Sequence, residues 1–189
     1  DLNKVSRTMI KRTPIIITWW EERYYGKNIK GWLVYLMLLL TGLDEELVTQ
    51  IIKRFHLDNY ARKAIQESWK VPQVVEYLRE NRDTLPADMD QRLDGWSNES
   101  MVLLLLSIKD ELLWEKLVNY LDLKEQVKVE INGFDLKEMG LKQGPEFRFI
   151  FDELYRQKLN GVIKNREEEL QMVKKWILEG KFNNDPIAE

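Results

Sequence analysis

The stretch Ile131 to Leu178 reads INGFDLKEMGLKQGPEFRFIFDELYRQKLNGVIKNREEELQMVKKWIL, and its pattern decides the fold. Gly133-Phe134-Asp135-Leu136 starts a short helix, with Asp135 near the positive end of its dipole. Gly140 ends that helix, Leu141 packs down, and Lys142 and Gln143 stay exposed in a tight turn. Gly144-Pro145 opens a longer helix, since proline lacks only an amide that a first turn leaves unpaired anyway. Two helices joined by a short glycine-bounded turn form a helical hairpin. Phe147, Ile150, Phe151 and Leu154 share one face of the second helix, which leaves Phe149 to meet a second face of the bundle. Asn165, with Glu168 three residues on, reads as a capping box for a last helix whose buried stripe is Leu170, Val173, Trp176 and Ile177.

The helical pattern continues upstream. Pro14 opens a helix carrying Ile15, Ile16, Trp19 and Trp20, and Gly26 stops it. Trp32 to Leu40 is apolar on all sides, which predicts a helix buried at the centre of a bundle. Asp44 caps a helix with Leu47, Val48, Ile51, Ile52 and Phe55 on one face; Asp58 caps the next, and Pro72 breaks that one and opens another. Residues 81–99 hold turn formers and acidic charge and read as a joint. Lys124 to Ile131 alternates and suits a short strand or an extended linker. The expected fold is all-α: an irregular multi-helix bundle, or body, followed by a smaller helical tail. The expected division is a helical body over 1–82, an acidic joint with continuing body helices over 83–122, a tail over 123–180 and a flexible end over 181–189.

Charge and composition narrow the chemistry. The net charge is −3. Residues 1–82 carry 14 Lys and Arg against 10 Asp and Glu, whereas 83–122 carry 3 against 9. Binding of bulk duplex by charge alone calls for a more basic protein, so any nucleic-acid site here is local. The lack of cysteine excludes disulfides, a cysteine nucleophile and thiolate-bound zinc, and it suits the reducing cytoplasm. The one histidine, His56, lies near a helix end and reads as structural; several metal-ligating histidines, as helical phosphohydrolases need, are missing. Asp88 and Asp90 read as a solvated acidic loop, not a two-metal site, which needs carboxylates on a rigid element. No stretch is apolar for the roughly 20 residues that span a bilayer, and the first residues do not read as a signal peptide. An opening on Asp1 instead of Met fits a piece of a longer product.

The hairpin turn offers one site. The first amides of the second helix are unpaired, its dipole is positive there, and Lys142 is adjacent; together they suit one phosphate. Gly144 lets a nucleic-acid backbone approach closely. On spacing alone the opposite reading stays open, that Gly140 and Gly144 serve only left-handed backbone angles and tight packing.

Gly133, Asp135, Leu136, Gly140, Gly144 and Pro145 spell G-x-D-L-x-x-x-G-x-x-x-G-P, and Gly161, Asn165, Arg166, Glu169 and Leu170 spell G-x-x-x-N-R-x-x-E-L. Two ordered blocks at this spacing resemble the tail of the class II tRNA nucleotidyltransferases, the bacterial CCA-adding and poly(A) polymerase family. Gln143 stands where the family often has proline, which loosens the turn slightly. Trp32-Leu33-Val34-Tyr35 is a weaker match to the body of its long bacterial members.

The resemblance implies an arrangement of head, neck, body and tail, in which body and tail hold tRNA. The head's G-G-x-V-R-D block and paired aspartates have no counterpart here, and Glu80-Asn81-Arg82-Asp83 does not match the neck's E-D-x-x-R. The expectation is body and tail only, without catalytic residues or a cofactor of its own; magnesium and nucleotide would belong to the head. The expected partner is tRNA, with no membrane, and the pattern assigns no oligomeric state. Candidate RNA contacts are Lys137, Lys142, the Gly144 amide, Arg148, Arg156, Lys164 and Arg166, with a second basic patch at Lys53/Arg54 and Arg62/Lys63. For each cation the competing role is a solvated or internal ion pair. The alternative function is a helical protein-interaction or scaffold domain without RNA binding.

Overall fold

A computed structural model describes residues 4–181, with side chains from residue 7. The described residues form eleven helices and no strand. By chain contacts they fall into two compact units, one of residues 4–84 and 92–118, the other of 85–91 and 119–181; the end expected to be flexible lies, from residue 182 on, outside the described residues.

The first unit contains α1 (Lys4–Arg23), α2 (Gly31–Leu40), α3 (Glu45–Arg54), α4 (Asn59–Ser68), α5 (Val71–Glu80) and α7 (Asn98–Ser107). Its centre is α7, packed against α1, α2, α4 and α5. Every residue from Glu99 to Leu106 is buried. The expected central helix, α2, buries Leu33, Val34, Met37, Leu38 and Leu40 but leaves Trp32 and Leu39 about half exposed. Apolar composition alone cannot rank two such helices, because the number of packed neighbours decides burial.

Polar groups carried inside with α7 are matched. Ser97 caps the helix, and the Glu67 carboxylate accepts both the Ser97 amide and its hydroxyl, each at 2.8 Å. Glu99, 1% exposed, accepts the Lys30 amide at 2.8 Å and the Tyr60 hydroxyl. Burial, and then that bond to Glu99, push the Tyr60 phenol above its ordinary range.

Asp44 and Asp58 cap α3 and α4 through the amides of Leu47 and Ala61, and Pro72 sits in the first turn of α5, as the sequence predicts. Pro14 does not open a helix: α1 runs through it from Lys4. The proline removes one bond to the carbonyl four residues back, and the helix tolerates that loss. His56 follows α3 with a positive φ of 48°. Its amide bonds the Lys53 carbonyl and the Leu57 amide bonds that of Ile52, the paired pattern that usually places glycine at this position.

The second unit holds the end of α8 (Glu111–Gln126), α9 (Gly133–Glu138), α10 (Pro145–Leu159) and α11 (Arg166–Leu178). It also takes most of α6 (Pro86–Leu93), which forms inside the stretch read as turns. Asp88 and Asp90 are therefore helical and bonded, not a solvated loop. Asp88 lies 3.6 Å from Arg156, and Asp90 accepts the Tyr120 hydroxyl at 2.9 Å and the Lys124 ammonium at 2.7 Å. Residues 127–132 are an irregular linker.

A non-glycine residue in the left-handed region costs roughly 1 kcal/mol. His56→Gly is expected to raise stability by up to about 1 kcal/mol, less glycine's larger unfolded-state entropy, measured by urea unfolding. Stability lowered by more than about 1 kcal/mol, glycine's own entropic cost, would show that the imidazole makes a compensating contact.

Candidate functional site

The site is built from α9, the turn after it and the start of α10. Asn132 caps α9 by accepting the Phe134 amide at 2.8 Å, and Asp135 returns to the Asn132 amide at 2.8 Å. This is a capping box, legible in the sequence as an Asn-x-x-Asp spacing. At the other end Gly140 takes a φ of +87°. Its amide reaches Lys137 and that of Leu141 reaches Leu136, closing the helix with paired bonds. Leu141 turns in with Ile131, Leu136, Phe147, Ile150 and Leu154 to form one core, to which α11 adds Val173 and Trp176.

Lys142 and Gln143 stand out in solvent, as the sequence predicts. Among the described residues, neither the Lys142 ammonium nor the amides of Gln143 and Gly144 have a hydrogen-bond partner. Gly144 is extended, with φ −167°, so left-handed geometry does not explain it. A Cβ there would come within 2.5 Å of a Glu146 carboxylate oxygen. Glu146 thus lies beside Gly144, where its charge competes with an arriving phosphate.

The other candidate cations divide by their partners. Lys137 lies over the Phe134 ring, 5.7 Å from its centre. Arg148 is highly exposed and lies 3.7 Å from Asp152. Arg156, two turns along α10, is held between Asp88 at 3.6 Å and Glu153 at 3.8 Å. The Lys164 side chain is exposed, while its amide donates to Glu168 at 2.7 Å. Arg166 donates to Asp135 and so joins the starts of α9 and α11. Lys137, Lys142, Gly144 and Arg148 therefore share the hairpin, and Arg156 points its charge at α6. In the other proposed patch, Arg62 donates to the Leu57 carbonyl and Lys63 to that of Gly95, while Lys53 and Arg54 are exposed in the last turn of α3.

Two further features were not anticipated. Phe149 is 64% exposed and Phe134 76%; Phe149 meets no second face. Glu169, with no exposed surface, accepts the Glu130 amide at 3.0 Å, the Ile131 amide at 2.9 Å and the Lys158 ammonium, which also reaches Glu130 at 2.8 Å. The signal available in the sequence was the place of Glu169 in the N-R-x-x-E-L block, on a helix whose apolar stripe includes the adjacent Leu170. The box at α11 also differs from expectation: Asn165 accepts the Glu168 backbone amide, but the Glu168 carboxylate accepts the backbone amide of Lys164 and the side-chain amide of Asn165, not the Asn165 backbone amide.

No protein-family model matches the chain. It is 25% identical over 162 residues to the A-adding tRNA nucleotidyltransferase of Geobacter sulfurreducens, covering 83% of this chain and 18% of that protein. In fold it is similar to the Thermotoga maritima CCA-adding enzyme solved with tRNA, with a TM-score of 0.76 and 20% identity over 93% of this chain and 42% of that one. A CCA-adding enzyme solved with CTP gives 0.72 and 21% over 96% and 42%. The chain resembles the body and tail of a tRNA nucleotidyltransferase. It spans less than half the length of these relatives.

Within this nucleotidyltransferase-like tail, several residues of the two sequence blocks have structural work. Asp135 and Arg166 link two helix starts, and Glu169 holds the linker before α9. Gly140 and Gly144 differ in kind, the first closing a helix and the second leaving amides open.

Burial opposes the Lys158 charge, but its bonds to Glu130 and Glu169 prevail and raise its pKa above the ordinary 10.5. The stability it confers is complete below that ordinary value and is lost as pH rises through the higher folded value. Lys158→Met should cost about 3–5 kcal/mol at pH 7, because it strands the Glu169 carboxylate. In unfolding titrations the gap between wild type and variant should narrow at strongly alkaline pH. A gap below about 1 kcal/mol at pH 7 would mean the two amides alone satisfy Glu169.

Proposed function

We propose that this chain is the tRNA-gripping part of a tRNA nucleotidyltransferase, CCA-adding or poly(A)-polymerase-like, and works on tRNA in the cytoplasm. A separate head domain would bind magnesium and nucleotide and carry out transfer; this chain's part is to hold the RNA. The observation carrying the reading is the likeness, over 93% of the chain, to an enzyme solved with tRNA.

The turn at 139–146 supports it. Folded RNA hides its base edges in a deep groove, so a protein holds it by shape and phosphate contacts. Lys142 and the open amides of Gln143 and Gly144 supply one phosphate seat, and the lack of a side chain at Gly144 lets the sugar–phosphate chain come close. Lys137 and Arg148 flank that seat. Arg148 can exchange its exposed carboxylate partner for a phosphate at little cost. Lys164, Arg156 and Arg166 extend the basic surface, the last two only as far as their partners Asp88 and Asp135 release them. Glu146 must swing away when phosphate arrives.

A tRNA minihelix titrated against the chain at rising salt tests this. Affinity should fall steeply with salt. Lys142→Glu should weaken binding about 10-fold and flatten the salt dependence by about one unit of slope, with helix content unchanged. Glu146→Gln should tighten binding several-fold, since it removes a charge of the phosphate's own sign. Weak binding that ignores salt and both substitutions would favour the scaffold reading instead.

A further inference from the structure

The first unit contains a cavity of about 650 Å³, within the usual range for small-ligand sites. Its inner wall is apolar: Val71, Leu103 and Leu106 are buried, and Met9, Pro72 and Val75 complete it. Arg12, Arg79 and Lys109 also line it, against one acid, Glu76.

Three hydroxyls at the cavity, those of Thr41, Ser68 and Ser107, are already committed as donors. Thr41 donates to Met37 at 2.9 Å, Ser68 to Ile65 at 2.6 Å and Ser107 to Leu103 at 2.7 Å. Each satisfies a carbonyl in the last turn of its own helix, α2, α4 or α7. The cations are therefore not needed as donors to those carbonyls. Arg79 is bonded to Glu76, whereas Arg12 and Lys109 have no carboxylate partner among the described residues. The spent hydroxyls still offer lone pairs to a ligand that brings donors.

We propose that this cavity binds a small organic anion with an apolar body, its acidic group held by Arg12 and Lys109 and its body on Val75 and Leu106. The site is independent of the RNA reading, because the hairpin turn contributes nothing to it. A phosphate ester on a donor-bearing ring and a simple carboxylate share this chemistry.

Titration of the full chain with 1-anilinonaphthalene-8-sulfonate, an apolar body bearing one sulfonate, tests the proposal. One saturable site is expected, with enhanced, blue-shifted fluorescence. Val75→Trp, which fills the apolar wall, should abolish it. The double variant Arg12→Glu/Lys109→Glu leaves the buried wall intact and should weaken binding at least about 10-fold, with unchanged circular dichroism. Adenosine 5′-monophosphate and octanoate then serve as competitors. Displacement by the nucleotide assigns a phosphate ester, and displacement by octanoate a carboxylate. No saturable site, affinity unmoved by the charge reversal, or displacement by neither competitor overturns the assignment.

Discussion

A carboxylate without exposed surface must find donors or lose its charge, and Glu169 finds the amides of Glu130 and Ile131 and the ammonium of Lys158. The tail depends on this arrangement. Residues 127–132 have no regular structure to fix their path, so the bonds from α11 fix it for them. The last residue of that linker is Asn132, the cap of α9. With the cap placed, α9 is placed, and the turn to α10 is displayed from a held base. Asp135 applies the same device again, bonding the Asn132 amide with one oxygen and Arg166 with the other. Two acids on two helices thus set the position of a turn to which neither belongs.

Local chemistry was legible wherever one residue and its neighbours determine the outcome. Asp44, Asp58 and Asn165 cap as their types dictate, and Gly140 closes a helix because a left-handed residue is needed there. Reading failed where the answer lies in distant packing. Trp32 to Leu40 and Met101 to Leu106 look alike in composition, but only α7 is enclosed by four helices. Pro14 looks like a beginning because nothing local reveals that an earlier turn continues through it. Acidic residues 86–93 look like a joint until Tyr120, Lys124 and Arg156 supply the partners that let them sit on a helix. Phe149 was expected inside because aromatic residues usually are, although its place on α10 faces away from Phe147, Ile150 and Leu154.

The candidate site shows the same division. Sequence alone picked out the exposed Lys142 and open amides at the turn, although these belong to Gln143 and Gly144 just before α10, while the Phe147 amide in its first turn is bonded to the Gly144 carbonyl. Sequence could not sort the arginines, since a guanidinium's availability depends on whether a carboxylate from another element reaches it. Arg148, 88% exposed, has its partner on its own helix, where an exposed pair is worth a few tenths of a kcal/mol. Arg166 has an 11% exposed partner on a different helix, and releasing it would leave a nearly buried Asp135 charge short of a donor. Equal charges therefore differ widely in what an arriving phosphate can recruit.

The net charge of −3 does not count against such a site. At physiological salt the screening length is about 8 Å. Arg148 and Arg156 are eight residues apart on α10, about 12 Å along the axis. The Asp88 charge that holds Arg156 is thus largely screened from the first turn of the same helix. What the phosphate seat meets is its own neighbourhood: Lys142, Lys137 and Arg148 on one side, Glu146 and Asp152 on the other. Glu146 has a carboxylate oxygen 2.5 Å from where a Cβ at Gly144 would lie, so it bears directly on that balance. If the turn seats phosphate as proposed, a movable carboxylate at its rim disfavours weak anions and favours one whose other contacts, spread along a folded RNA, offset the displacement.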